Sequence, residues 1–217
     1  MNIHLDRIWA ERYFNPGSWG NVWTGTGSTP LAKQFYFFDN DNSDPVRLFN
    51  VIATIMLQNG LREPNKICAG VNVYGALQTN PSILDRIKYQ GSEANPADVT
   101  ANVLAQLFKV KEFVVAKSVI NKAPVGADDD LQFICDPDSL LLTYTTDAPS
   151  IDEPSAGYTF AWDMLGNGQY MAIQQFLGES GTHTEFVEGL VCTDPQVTSK
   201  DLGVFMQKAV SPDYNPA

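Results

Sequence analysis

Histidine is nearly missing from this chain. His4 and His183 are the only two, too few to build a zinc site without cysteine ligands. Cysteine is scarce as well. Cys68, Cys135 and Cys192 are odd in number, far apart, and each sits in an apolar, strand-like run. That pattern predicts three buried free thiols in a reducing compartment rather than a disulfide framework. His183 and Cys192 are nine residues apart on one strand-like run, so they point to opposite faces and form no nucleophilic dyad. Basic residues are in deficit: 14 Lys and Arg stand against 25 Asp and Glu, a net charge of −11. A sequence-independent grip on nucleic acid needs a basic surface, and this balance argues against one. It suits solubility, or an inner surface that does not stick to enclosed nucleic acid. No apolar run approaches the roughly 18 residues that a membrane span needs. The opening stretch MNIHLDRIWAERYF carries Asp6, Arg7, Glu11 and Arg12 with no apolar core, so it does not read as a signal peptide.

What is present is an ordinary globular composition. Hydrophobic residues make up 44% of 217 positions, enough for one large domain or two small lobes. The segment Asn65–Tyr89 organises the rest. Ile67, Cys68, Ala69 and Val71 make one short buried strand. Asn72 is expected to cap a helix carrying Val73, Ala76 and Leu77, and Asn80-Pro81-Ser82 starts a second with Ile83, Leu84 and Ile87. Upstream, Leu5, Ile8, Trp9 and Tyr13 recur at helical spacing over Ile3–Tyr13. Trp19–Thr29 reads as a loop or irregular hairpin, and Leu31–Phe38 as an edge strand. Val46–Gln58 is the clearest helix; its broad stripe of Leu48, Phe49, Ile52, Ala53, Ile55 and Met56 predicts burial on more than one side, with a stop at Asn59-Gly60. Downstream, a helix from Pro96 or Ala97 to Phe108 is followed by β-rich Lys111–Asn121, then strands at Leu131–Cys135 and Ser139–Tyr144. Tyr158–Met164 and Gln169–Leu177 flank Gly166-Asn167-Gly168 as an expected hairpin. His183–Cys192 and Leu202–Val210 close the chain as strands. Residues 44–157 therefore mix helix and strand, while residues 158–210 are all β.

Candidate chemistry is thin. Asp39-Asn40-Asp41-Asn42-Ser43 begins like an EF-hand calcium loop, which needs Gly at its sixth position and Glu at its twelfth. Asp44 and Asn50 stand there, and Pro45 intrudes at the seventh. The segment reads instead as a helix lead-in, with Ser43 or Asp44 as N-cap and Pro45 at the first turn. Asp128, Asp129, Asp130, Asp136 and Asp138 have the oxygens a divalent cation wants, but consecutive loop acids read more simply as a solvated cluster. Gly25-Thr26-Gly27 lacks the strand–GxGxxG–helix context of a phosphate cradle. Trp9, Trp19 and Trp23 make either a small local core or a contact surface, since Trp is favoured where one partner buries another's surface. No catalytic, metal or cofactor-binding residue is assigned.

Three stretches go further: SDPVRLFNVIATIMLQNGLREPNKICAGVNVYGALQTNPSILDRIKY (Ser43–Tyr89), LAQLFKVKEFVVAKSVINKA (Leu104–Ala123), and PSAGYTFAWD (Pro154–Asp163) after LLLTY (Leu140–Tyr144). Their order resembles the major capsid proteins of tailed bacteriophages, with the Hong Kong ninety-seven fold that encapsulins share. The resemblance covers roughly residues 1–165. It implies an α+β fold with a mixed axial domain over 44–157 and β-rich peripheral flanks at 1–43 and 158–217. The implied role is a non-enzymatic subunit that self-associates into an icosahedral shell around a phage genome. Implied partners are copies of itself and other virion proteins, with packaged DNA held by enclosure and no membrane. The implied location is the virion, assembled in the host cytoplasm. Ile3–Tyr13 corresponds to the last turns of a spine helix, so the chain is expected to be a shortened form lacking the N-terminal arm and extended loop. Trp9, Trp19, Trp23, Asp128, Asp129 and Asp130 are the expected subunit contacts. The Lys122–Asp130 loop would lie at the capsomer centre, where acids from several copies repel unless cations or basic neighbours offset them. Two alternatives stand beside this: a virion accessory module adhering through the tryptophans, and a divalent-metal enzyme, which needs Asp128, Asp129, Asp136 and Asp138 to converge.

Overall fold

The computed structural model describes residues 2–88, 99–150, 152–163, 171–178, 181 and 184–214. Helix α1 (Asn2–Tyr13) leads through a short 3-10 turn capped by Asn15 into strand β1 (Asn21–Thr26). Strand β2 (Gln34–Tyr36) and helix α2 (Pro45–Gly60) follow. The Asn65–Tyr89 unit becomes β3 (Lys66–Ala69), α3 (Val71–Thr79) and α4 (Pro81–Lys88). Next come α5 (Ala101–Leu107), β4 (Glu112–Val115), β5 (Val119–Asn121), β6 (Leu131–Phe133) and β7 (Leu140–Thr143). The last strands are β8 (Gly157–Ala161), β9 (Met171–Leu177), β10 (Glu185–Val191), β11 (Thr193–Val197) and β12 (Gly203–Gln207).

A six-stranded sheet in the order β2-β1-β12-β7-β3-β4 is the centre of the molecule. It is mixed: β1 runs parallel to β2 and β12, β3 parallel to β4, and β7 antiparallel to both β3 and β12. The stretches 1–43, 44–157 and 158–217 each contribute strands to it. Successive residues of its central strands alternate between two cores. Ile67, Ala69, Leu140, Leu142, Val204 and Met206 face helices α2 to α5 in the larger core. Cys68, Leu141 and Phe205 face α1 in the smaller one, with Ala10, Tyr13, Phe14 and Trp19. Covering both faces explains why Leu140, Leu141 and Leu142 are buried in succession.

Several expectations need correction. Trp19–Thr29 contains a true strand, β1, hidden by glycine and threonine. A Cβ on Gly25 would lie 1.8 Å from the Lys208 carbonyl oxygen, so the glycine permits a close backbone approach rather than a turn. Helix α2 buries a single stripe, Val46, Phe49, Ile52 and Met56, and leaves Val51 and Leu57 exposed. It ends two residues late, at Gly60, with Leu61 in the left-handed region at φ 59°. Gly60 is itself helical, and glycine suits the position because a Cβ there would meet Leu202 Cδ2 at 2.7 Å. Of the two candidate caps, Asp44 is the one used: its carboxylate accepts from the Arg47 amide at 3.1 Å. Asn72 caps nothing; Gly70 holds that position, and the Asn72 side chain donates to Asp138 Oδ1 at 2.8 Å. Helix α5 begins at Ala101 behind Thr100; the expected start at Pro96 or Ala97 lies outside the described residues. Among the described residues, the strands flanking Gly166-Asn167-Gly168 do not pair with each other. β8 pairs with β11, and β9 with β10, both antiparallel. The three glycine-region residues and His183 lie outside the described residues.

Candidate functional site

Two surfaces stand out, one protruding and one recessed. The first is a ribbon. β8 and β11 form its base, and the Trp162 amide donates to the Cys192 carbonyl at 3.3 Å, extending the ladder toward β9 and β10. Helix α1 holds the base. The Arg12 Nε donates to the Pro195 carbonyl at 3.1 Å, and the Tyr13 hydroxyl lies 3.0 and 3.1 Å from the Tyr158 and Gln196 carbonyls. Burial pushes the Tyr13 phenol above its ordinary pKa, so it remains a donor. The outer half, β9 with β10, contributes no residue to either core. Pairing puts opposite residues on one face. One face carries Ile173, Val187 and Leu177 beside Glu185; the other carries the stacked rings of Phe176 and Phe186, 5.4 Å apart, with Gln174 and Glu188 between them and Leu190. Ile173 is 71%, Leu177 83% and Val187 65% exposed. A two-stranded ribbon with apolar residues on both sides and no third layer is marginal in water, and such patches mark interaction sites.

The second surface is a groove of about 530 Å³ on the α1 side of the sheet. Its floor is Cys68 and Leu141; its walls are Trp9 and Tyr13 on one side and Val114 with Lys117 on the other. It exists because α1 covers only the β12 and β7 half of that sheet face. Ser118 Oγ donates to Asp6 Oδ2 at 2.8 Å, tying the walls together. Burial pushes the Cys68 thiol up to about 12, with Cys135 adding to it, and pushes Cys135 up to about 11, with Asp6 and Asp136 adding to it. Both are therefore neutral and inert near neutral pH; all three cysteines are free. Among the described residues, Thr145 Oγ1 is the one buried side-chain polar atom without a partner, and Thr145 lines this groove.

Two of the three tryptophans share the smaller core, and the third lies apart. Trp19 is 5% exposed, and its Nε1 donates to the Tyr13 carbonyl at 2.7 Å inside the smaller core. Trp9 is half-buried against that core, and Trp23 is half-buried against the larger one across the sheet. Asp128, Asp129 and Asp130 lie on the exposed link between β5 and β6. Asn121 organises this link: its Nδ2 donates to Asp129 Oδ1 at 2.7 Å, and its Oδ1 accepts from the Asp130 amide at 3.0 Å. Asp136 turns to Ser139, and Asp138 to Asn72. Among the described residues no group of three His, Cys, Asp or Glu side chains could hold a metal ion, so the convergence that a metal enzyme requires is not found there. The ribbon's apolar display was missed because its alternation reads equally as a half-buried strand.

No family model matches the sequence, and no curated protein does. Among solved structures, a phage-related protein from Bordetella bronchiseptica RB50 superposes with a TM-score of 0.73 at 20% identity, over 94% of this chain and 62% of that one. The fold is that of a phage-related protein. The chain thus spans less than two thirds of the length of the structure it matches. A virus-like particle from Pyrococcus furiosus gives a TM-score of 0.48 at 12% identity, covering 94% of this chain and 64% of that one. A protein assigned as a prophage capsid protein of E. coli CFT073 gives 0.44 at 10% identity, covering 81% and 50%. No helix among the described residues is long and apolar enough to cross a membrane.

Proposed function

We propose that this chain is a structural subunit of a phage-type shell, of the Hong Kong ninety-seven kind, that works by associating with copies of itself. The observation that carries the reading is the fold shared with a phage-related protein over 94% of the chain. The order of capsid-like motifs along Ser43–Asp163 supports it independently. So does an exposed apolar ribbon that a lone monomer has no use for. In this reading residues 44–157 are the axial part and the flanks the peripheral part. The shell is icosahedral, sits in the virion after assembly in the host cytoplasm, and holds DNA by enclosure. The net charge of −11 suits confinement without adhesion. Trp9, Trp23 and the Asp128–Asp130 loop remain candidate subunit contacts; Trp19, being internal, supports contacts only by bracing α1.

The test is electron microscopy of the purified protein together with its mass in solution. Closed particles or regular rings are expected. A protein that stays monomeric at every concentration, with no particles on the grid, overturns the proposal.

A further inference from the structure

We infer that subunits join head to tail, the Ile173–Val187 face of the β9–β10 ribbon of one copy seating in the groove between α1 and β4 of the next. This rests on the reading above that the chain associates with itself, and it names the two surfaces that meet. Charge selects the occupant. The ribbon's four strands, β8 to β11, carry Glu185, Glu188 and Asp194 and no Lys or Arg. The groove is lined by Lys66 and Lys117 together with Glu112 and Asp6, and Asp6 already accepts from Ser118 Oγ. Lys111 is held by Asp147, and Lys66 by Glu112. Lys117 is exposed on the groove and has no ion-pair partner among the described residues. An acidic apolar projection and an apolar recess with an unpaired lysine at its rim thus occur on one chain.

Shape agrees with charge. The Ile173, Val187 and Leu177 face is the more exposed of the ribbon's two faces, with Gln175 opposite Val187 and Glu185 as its acid at the outer end. The recess has an apolar floor and room for several aliphatic side chains. Because projection and recess are different patches, the contact is heterologous. Such contacts generate closed rings or open chains, not isolated dimers.

The test uses the full chain at physiological ionic strength, with sedimentation velocity over a wide concentration range and microscopy of the same samples. Ile173→Glu and Val187→Glu alter exposed positions, so unchanged circular dichroism and melting are expected alongside association weakened at least tenfold, about 1.4 kcal/mol. Glu185→Lys and Lys117→Glu are each expected to weaken association, and the two together to recover much of the loss. Wild-type association that Val187→Glu leaves unchanged overturns the inference, as does a wild type that never associates. Single charge variants that weaken association without recovery in the exchange overturn the pairing with the Lys117 groove. Ribbon-dependent association into open chains, with neither rings nor particles, sustains the inference and sinks the shell reading; rings or particles formed by Val187→Glu do the reverse.

Discussion

Trp19 shows how one side chain decides between two roles that residue type leaves open. Its ring lies in the smaller core and its indole N–H is satisfied internally by the Tyr13 carbonyl. Trp19→Ala therefore leaves a cavity and an orphaned carbonyl, and should lower the folding stability of the monomer by about 3–5 kcal/mol in a urea titration. The thiols give a second residue-scale outcome. The Cys135 pKa is raised from 9.0 to about 11, which cuts its thiolate fraction about a hundredfold. Cys68 is raised further. Maleimide labelling of the folded protein at neutral pH should be slow at both, and rapid once denaturant is added. Fast labelling of Cys68 in the native state would contradict the packing described.

At the scale of elements, helix ends and connectors carry the sharper predictions. Leu61 occupies a left-handed conformation that costs a side chain about 1 kcal/mol, and it is 75% exposed, so its side chain returns little. Leu61→Gly should raise stability by about 0.5 kcal/mol, read as a rise in denaturation midpoint without a change in slope. The 145–157 connector is pinned by Glu153, which accepts from the Tyr144 hydroxyl at 2.6 Å and from the Thr146 hydroxyl at 3.1 Å. Those hydrogen bonds, Tyr144 first, hold the Glu153 carboxyl below its ordinary pKa. A depressed pKa means that the contribution is present above the ordinary carboxylate value and is lost as pH falls below it. Hydrogen exchange at the connector, corrected for intrinsic rates, should rise in that acidic window and become indifferent to pH there in Glu153→Gln. The elements themselves were largely legible. Helix α2 has its Asp-Pro lead-in and stripe, and the β3–α3–α4 unit has its punctuation by Asn and Pro. What escaped was pairing. β1 looked like a loop because Gly25 marks a close approach to the backbone at Lys208. β8 and β9 looked like partners because a Gly-Asn-Gly between them is a local signal, while their real partners lie further along the chain.

For the molecule as a whole, charge and apolar exposure oppose each other. Each copy carries −11, so copies repel, whereas the proposed contact adds an exposed ion pair worth about 0.2–1 kcal/mol. The Debye length falls from about 30 Å at 0.01 M to about 8 Å at 0.15 M salt, which screens repulsion between whole bodies far more than one close-contact pair. Association should therefore strengthen over that range in light scattering, even though an ion pair contributes to it.

Composition and spacing were enough to settle the mixed helix and strand content, the positions of most elements and the acidic, cysteine-poor character, because each depends on neighbours within a turn or two of chain. They also carried the likeness to phage shell proteins, through the order of short motifs. Only the tertiary structure decided which strands pair, that strands from the beginning, middle and end of the chain share one sheet, and that Trp19 lies inside while Ile173, Val187 and Leu177 lie outside. The reason is physical. An alternating strand commits one face to burial but does not say whether the covering layer comes from its own chain or from another copy.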